Sequence, residues 1–391
     1  MISHDASSAI IVGAGIAGLS AAIALRQAGF TVSVYERAAA IEPMGAALSL
    51  WSNAVDALAQ LGVDARIKAE AAPILRMGVF GKNGRTIIGP RTVSDTPYAG
   101  ATAYLPTRSL LQSTLQEELN GARLCLNMPV AHVEQDSLGV TVRFENGEVQ
   151  HANIAIIADG IWSKAAAEII GTVPRHAGYG GVLALSDPME PDGYEGCAHE
   201  YWGDCQRFGV FDVGSNRRYW FYMRNEAAPH EATLLKHSEI ARYAEGWPSE
   251  IGRAVAATRI DRLIPFSIHA KPPPQRLGVG RIICVGDAAH AMEPNLGQGA
   301  CQAIEDAVAL GAAVKMSTLD TILPNYEKAR LARIEAYVRR SAEGSRGAHS
   351  KSAFERQLIQ SVIGAMPNFV TNNMIARMHR LPNYSLSVGR N

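Results

Sequence analysis

A chain of 391 residues is long enough for two or three folding units, and its 47% hydrophobic content can bury a large core. Lys plus Arg and Asp plus Glu both number 37, so the overall charge favours neither nucleic acid nor an anionic membrane as partner. The five cysteines, Cys125, Cys197, Cys205, Cys284 and Cys301, are scattered, odd in number and without paired metal-ligand spacing, which argues for reduced cytosolic thiols and against disulfides or a metal centre.

Residues 1–8 hold no basic segment leading into an apolar run, and no window approaches the roughly eighteen apolar residues of a membrane helix, so a cytoplasmic protein without a membrane span is expected. Ile10-Ile11-Val12-Gly13-Ala14-Gly15-Ile16-Ala17-Gly18-Leu19 then reads as a buried strand passing through a glycine turn into a helix. Gly13 permits the tight turn, Gly15 lets backbone approach a pyrophosphate, and Gly18 lets helix and strand pack closely, with the helix N-terminus facing the anion. The strand Thr31–Tyr35 delivers Glu36 eighteen residues after Gly18, where a carboxylate suits a ribose 2′-hydroxyl. This is the pattern of a dinucleotide site; the plain alternative is a glycine turn in an ordinary α/β unit.

Further along, the pattern predicts a helix over residues 108–119 and strands near 123–126, over Val140–Phe144 and over 154–158. From Gly178 to about Phe266 it turns to aromatic-rich strands such as Arg218-Tyr219-Trp220-Phe221-Tyr222-Met223, the signal of a sheet that carries a pocket. Arg207 and Tyr219 lie on either side of a hairpin turn at Val213-Gly214-Ser215-Asn216, and a loop with an odd residue count puts both on one face. The plain readings are a surface ion pair for Arg207 and core packing for Tyr219. A strand over 281–285 returns to the nucleotide unit, and helices dominate from Gln302 onward. There Phe354, Leu358 and Val362 recur every four residues before Pro367, predicting a helix packed on the protein body. The expected fold is α/β: a discontinuous Rossmann-like nucleotide domain of residues 1–70, 100–177 and 268–330, a mixed-sheet substrate domain of 71–99 and 178–267, and C-terminal helices over 331–391. Neither Gly178-Tyr179-Gly180-Gly181 nor Gly278-Val279-Gly280 completes a second fingerprint, so no separate nicotinamide domain is expected.

Ala158-Asp159-Gly160 and Gly286-Asp287-Ala288-Ala289-His290-Ala291-Met292, the latter running into Pro294-Asn295-Leu296-Gly297-Gln298-Gly299, each follow a buried strand. Together with the glycine turn and Glu36, these motifs resemble the single-component FAD-dependent aromatic hydroxylases of the para-hydroxybenzoate hydroxylase type, from Ile10 to the Tyr326-Glu327-Lys328-Ala329-Arg330 segment. The resemblance implies FAD held by Gly13, Gly15, Ala17, Gly18, Glu36, Arg37, Arg108, Gln112, Asp159, Asp287, Pro294, Gly297 and Gly299. Asp287 is suited to accept hydrogen bonds from a ribityl chain, with a simple helix cap as the alternative. Small residues from Pro294 to Gly299 let backbone N–H groups reach the flavin pyrimidine edge, where negative charge develops on reduction. His290 reads as packing rather than acid–base.

The implied reaction consumes NAD(P)H and O2 and hydroxylates a small aromatic or heteroaromatic substrate through a C4a-hydroperoxyflavin. The alternatives are a flavin epoxidase, a Baeyer–Villiger-type oxygenase, or a flavin-bearing protein that sequesters its ligand without turnover. Arg207 and Tyr219 resemble the arginine and tyrosine that hold the purine in FAD-dependent urate hydroxylases, and the Pro294 to Gly299 loop is similar to that of quinolone hydroxylases. Two departures stand out. Ala166 occupies a place where relatives carry Arg, leaving NADH or NADPH open, and Val182 and Leu183 replace a Trp and a polar residue, which suggests a more apolar pocket. Monomer and homodimer both stay open.

Overall fold

The computed structural model describes residues 7–41, 47–92, 103–227 and 237–384. Strand β1 (Ser8–Val12) enters the glycine turn, helix α1 (Ile16–Gln27) leaves it, and β2 (Thr31–Tyr35) pairs in parallel with β1. The chain departs to β3 (Arg76–Gly81) and β4 (Thr86–Thr92), then returns through α2 (Arg108–Glu117) to β5 (Arg123–Cys125) and β6 (Ile154–Ile157). It departs again for β7 (Arg175–Leu185), β8 (Cys197–Trp202), β9 (Gln206–Asp212), β10 (Arg218–Asn225) and β11 (Ile264–Ala270). β12 (Gly278–Val279) and β13 (Ile282–Cys284) bring it back, followed by α3 (Asp287–His290), α4 (Gly299–Lys315), α5 (Ile322–Gly344), α6 (Ala353–Ala365) and α7 (Asn368–Met378).

Two sheets result. A six-stranded sheet runs in the order β12-β13-β6-β1-β2-β5, and a seven-stranded sheet in the order β11-β7-β10-β9-β8-β3-β4. In the first, parallel except for its antiparallel edge strand β12, β6 and β13 are buried along their whole length, because parallel strands are covered on both faces. Helices α1 and α4 supply one such cover, and they approach closely: a Cβ on Gly311 would stand 3.3 Å from that of Ala24. In the second sheet the two-residue period sorts side chains by face. Phe208, Val210, Trp220 and Tyr222 pack with Trp247 and Ile251 on one side.

The strands Thr31–Tyr35 and Val140–Phe144 occur with the expected bounds, whereas the helix expected over 108–119 stops at Glu117 and the strand over 281–285 contracts to Ile282–Cys284. The seven-stranded sheet runs wider than the span expected for it, from Arg175 and to Ala270, and the boundary near residue 100 lies outside the described residues. One correction concerns α6. The helix lies on the body beside β4, but Phe354, Leu358 and Val362 are 75%, 51% and 51% exposed, while Arg356 on another face is buried. Among the described residues no helix is long and apolar enough to cross a membrane.

Candidate functional site

The glycine turn is fixed by sterics. Gly13 adopts φ +102°, and a Cβ there would lie 2.5 Å from the Ala158 carbonyl oxygen, while one on Gly18 would lie 1.9 Å from that of Gly13. Neither position admits a side chain. Gly15 differs, since a Cβ there meets nothing within 4 Å and the residue borders a large cavity. Glu36 sits under the turn: its Oε2 accepts the Ala14 N–H at 2.8 Å and its Oε1 the Ala38 N–H at 3.0 Å. Gln112 donates to the Ala14 carbonyl at 3.2 Å, so α2 braces the turn from the other side.

Asp287 opens the second cofactor-facing segment. Gly286, at φ +58°, has no room for a Cβ, which would stand 2.6 Å from that of Ala17, so α3 abuts the start of α1. Asp306 on α4 holds this turn: its Oδ2 accepts from the Gly286 N–H at 2.8 Å and from His290 Nε2 at 2.6 Å, while Arg330 Nε donates to Oδ1 at 2.8 Å. Burial pushes the Asp306 carboxyl up, yet His290 and Arg330 outweigh it and hold it at about 2. Beside it, Glu305 takes Arg330 at 2.9 Å, Arg333 at 2.7 Å and the Tyr384 hydroxyl at 2.6 Å, tying α4 to the C-terminal segment. Pro294–Leu296 forms a single 3-10 turn and Gly297 turns left-handed at φ +60° before α4 begins.

A cavity of about 1090 Å³ joins these segments to the seven-stranded sheet. Of the residues expected at the cofactor, Gly15, Ala17, Arg108, Asp287, Pro294, Gly297 and Gly299 border it. Gly13, Gly18, Glu36 and Gln112 shape the turn instead, Arg37 is exposed, and Asp159 is half-buried with its Oδ1 enclosed and unpartnered, burial holding its carboxyl up. The open space at Gly15, the exposed Asp287 and the orphaned Asp159 oxygen all suit a bound dinucleotide.

The far wall is one face of the seven-stranded sheet. Five residues separate β9 from β10, and the register sets Phe211 opposite Tyr219 and Arg207 opposite Met223, so Arg207 and Tyr219 share the cavity face. Arg207 is 2% exposed; Nη1 reaches Glu200 at 3.4 Å, Nη2 meets the Met223 sulfur at 3.2 Å, and Nε has no partner. Its guanidinium lies 5.5 Å from the centroid of Phe221, over the ring. The ring of Tyr219 packs 5.8 Å from Phe211, and burial raises its phenol. Val182 and Leu183 do not line this wall: Val182 lies in the core behind the sheet and Leu183 packs near Phe221.

Sequence reasoning missed a cluster behind Arg207. Tyr179 donates to Glu293 at 2.8 Å, accepts from Asn295 at 3.0 Å, and stacks on His349 at 4.3 Å between centroids. His349 Nδ1 donates to Asn225 at 2.8 Å, and burial with Arg207 nearby drives its pKa to about 3. It also missed the C-terminal contribution to the cavity, including His379, which stacks on Trp51 at 4.6 Å. Nothing local in the sequence marks these partners; the i, i+4 spacing of Ile359 and Ile363 was the one available signal.

The chain matches the family described as FAD binding domain over residues 6–341. It is 31% identical over 357 residues to the FAD-dependent urate hydroxylase of Klebsiella pneumoniae, covering 88% of this chain and 91% of that protein. Against the aurachin C monooxygenase/isomerase of Stigmatella aurantiaca it is 30% identical over 334 residues, covering 84% and 86%. A crystal structure of Klebsiella pneumoniae HpxO complexed with FAD and uric acid superposes with a TM-score of 0.87 at 27% identity, covering 95% of this chain and 96% of that one. Relatives matched over most of their own length are a hydroxylase and a monooxygenase, so the epoxidase alternative is not favoured. A glycine turn with open space at Gly15, a sheet face carrying Arg207 and this end-to-end similarity converge: the chain belongs to the FAD-binding-domain family and is a FAD-dependent monooxygenase.

Proposed function

We propose that this monooxygenase hydroxylates a small aromatic or heteroaromatic ring, with NAD(P)H as reductant and O2 as oxygen source. The observation that carries the reading is the single cavity running from Gly15 and Asp287 to Arg207 and Tyr219. FAD, when bound, supplies electron transfer and oxygen activation. The chain's own residues bind and orient. In this reading Gly13, Gly15, Ala17 and Gly18 cradle the pyrophosphate, Glu36 and Arg37 lie toward the adenosine end, and Arg108, Gln112 and Asp159 flank the cofactor. Asp287 accepts from the ribityl chain, and Pro294, Gly297 and Gly299 present backbone to the pyrimidine edge. Residues 1–70, 100–177 and 268–330 would form the cofactor domain, with 71–99 and 178–267 carrying the substrate.

Arg207 is suited to hold a phenolate, enolate or carbonyl oxygen of the ring, because its Nε lacks a partner and its other nitrogens make only one long carboxylate contact and one sulfur contact. Tyr219 stacks on or hydrogen-bonds the ring. The walls exclude water from the reacting carbon. The test is a substrate screen on purified protein following NAD(P)H oxidation and product mass under labelled O2. A product gaining one labelled oxygen atom is expected; label arriving from water, or NAD(P)H oxidation with no modified product for any bound ligand, sinks the proposal.

A further inference from the structure

The cavity does not stop at Arg207. In the seven-stranded sheet Ile88 stands opposite Val79, Val79 opposite Glu200, Glu200 opposite Gly209 and Gly209 opposite Phe221, one row of cross-strand neighbours on the cavity face. Glu200 is occupied, accepting from the Trp202 indole at 3.1 Å and from Arg207. Beyond it the row is aliphatic. Ile359 and Ile363, one turn apart on α6, border the same cavity, joined by Met366 just beyond the helix. Helix α6 lies on β4, a Cβ on Gly364 standing 3.2 Å from the Ile87 carbonyl, so its isoleucines and the sheet edge bound one groove. From β9 to β4 is three strand spacings, roughly 14 Å.

We propose that this groove is a subsite for an alkyl chain carried by the ring that Arg207 orients. The substrate class is then a polar aromatic or heteroaromatic head with an aliphatic tail, rather than a compact all-polar purine. An apolar groove continuous with the ring site, and with no free charge along its row, gains free energy only from an apolar occupant. Ile88, Val79, Ile359 and Ile363 are all half-buried, the state of a wall with room beside it.

The inference rests on the hydroxylase reading, and one experiment separates the two. Binding to the FAD-loaded protein is followed by flavin absorbance for two homologous series, 4-alkylphenols and 2-alkyl-4-hydroxyquinolines, from methyl to heptyl, with urate alongside and products analysed by mass. Affinity should rise about fourfold per added methylene on at least one ring, the burial free energy of one CH2. Ile363→Asp should flatten the series, and Ile363→Phe, which fills the groove without a charge, should cap it at shorter chains. No gain with chain length on either ring, binding of no member, or a slope untouched in both Ile363 variants overturns the subsite. Oxygenation of short and long members with equal efficiency sinks the subsite and leaves the hydroxylase reading standing. Chain-dependent binding with no oxygenated product does the reverse.

Discussion

The two ends of the cavity are built on different principles. At the cofactor end, position is set by backbone: Gly13, Gly18 and Gly286 have no room for a Cβ, and Asp306 and Glu36 hold the turns through main-chain N–H groups. At the substrate end, position is set by side chains on a sheet face and on α6, drawn from distant parts of the chain. The first end has little freedom to vary in sequence. The second can change its ligand by changing a few side chains while keeping its strands, the separation of scaffold and site that lets one fold serve many reactions.

The contrast is sharpest where the backbone end depends on buried charge. Asp306→Ala should destabilise the protein by about 3–5 kcal/mol, because Arg330 then stays buried with half its counter-charge removed and the Gly286 turn loses its acceptor. Chemical denaturation with and without FAD measures it, and a loss below 1 kcal/mol would show that the network is not holding the turn. Gly15→Val sharpens the same point from the other side. Its Cβ meets nothing, so thermal unfolding of the apoprotein should change little, while FAD affinity should fall at least tenfold as the side chain fills the approach to the pyrophosphate. Equal loss of fold and flavin breaks the comparison.

At the side-chain end, Arg207→Ala and Tyr219→Phe should keep FAD content and lower kcat/KM. A lost hydrogen bond to a charged partner costs about 1.5–3 kcal/mol, a tenfold or larger loss in efficiency. Wild-type efficiency and coupling in both variants would make the two residues structural. A pH effect follows from His349 and His379, whose pKa values burial lowers to about 3 and about 4. Both stay neutral in the fold but bind protons when unfolded near pH 6.5, so stability should fall as pH drops from about 6.5 toward 4. His349→Gln should flatten part of that slope; an unchanged slope rules out His349 as a source. The smallest effect belongs to the outer face of α6: Phe354→Ser, at 75% exposure, should shift stability within about 0.5 kcal/mol.

Legibility in the sequence follows the same division. The glycine turn and Thr31–Tyr35 could be read because their determinants are neighbours in the chain, and the shared face of Arg207 and Tyr219 because strand parity carries across a short loop. The pairing of Asp306 with His290 and the stacking of His349 on Tyr179 join residues whose proximity no local pattern encodes. Helix α6 misled for a further reason. It carries apolar residues on two faces, Phe354-Leu358-Val362 and Ile359-Ile363, and periodicity does not say which one turns inward. Of the pair Val182 and Leu183, the register turns Val182 to the far side of the sheet and leaves Leu183 half-buried opposite Phe221, next to the cavity wall but not lining it.

That the groove is closed by α6 on one side and by β3 and β4 on the other, near opposite ends of the chain, bears on the order in which the molecule is made. Contacts between distant segments close late, because the loop entropy is lost before they return anything. The flavin turn, the short hairpin of β9 and β10 and the α1–β2 unit can form while the reaction chamber still lacks a wall. Pulse-labelled hydrogen exchange during refolding should therefore protect β1 and β2 before α6, leaving an intermediate whose unfinished chamber is a target for chaperones rather than for substrate.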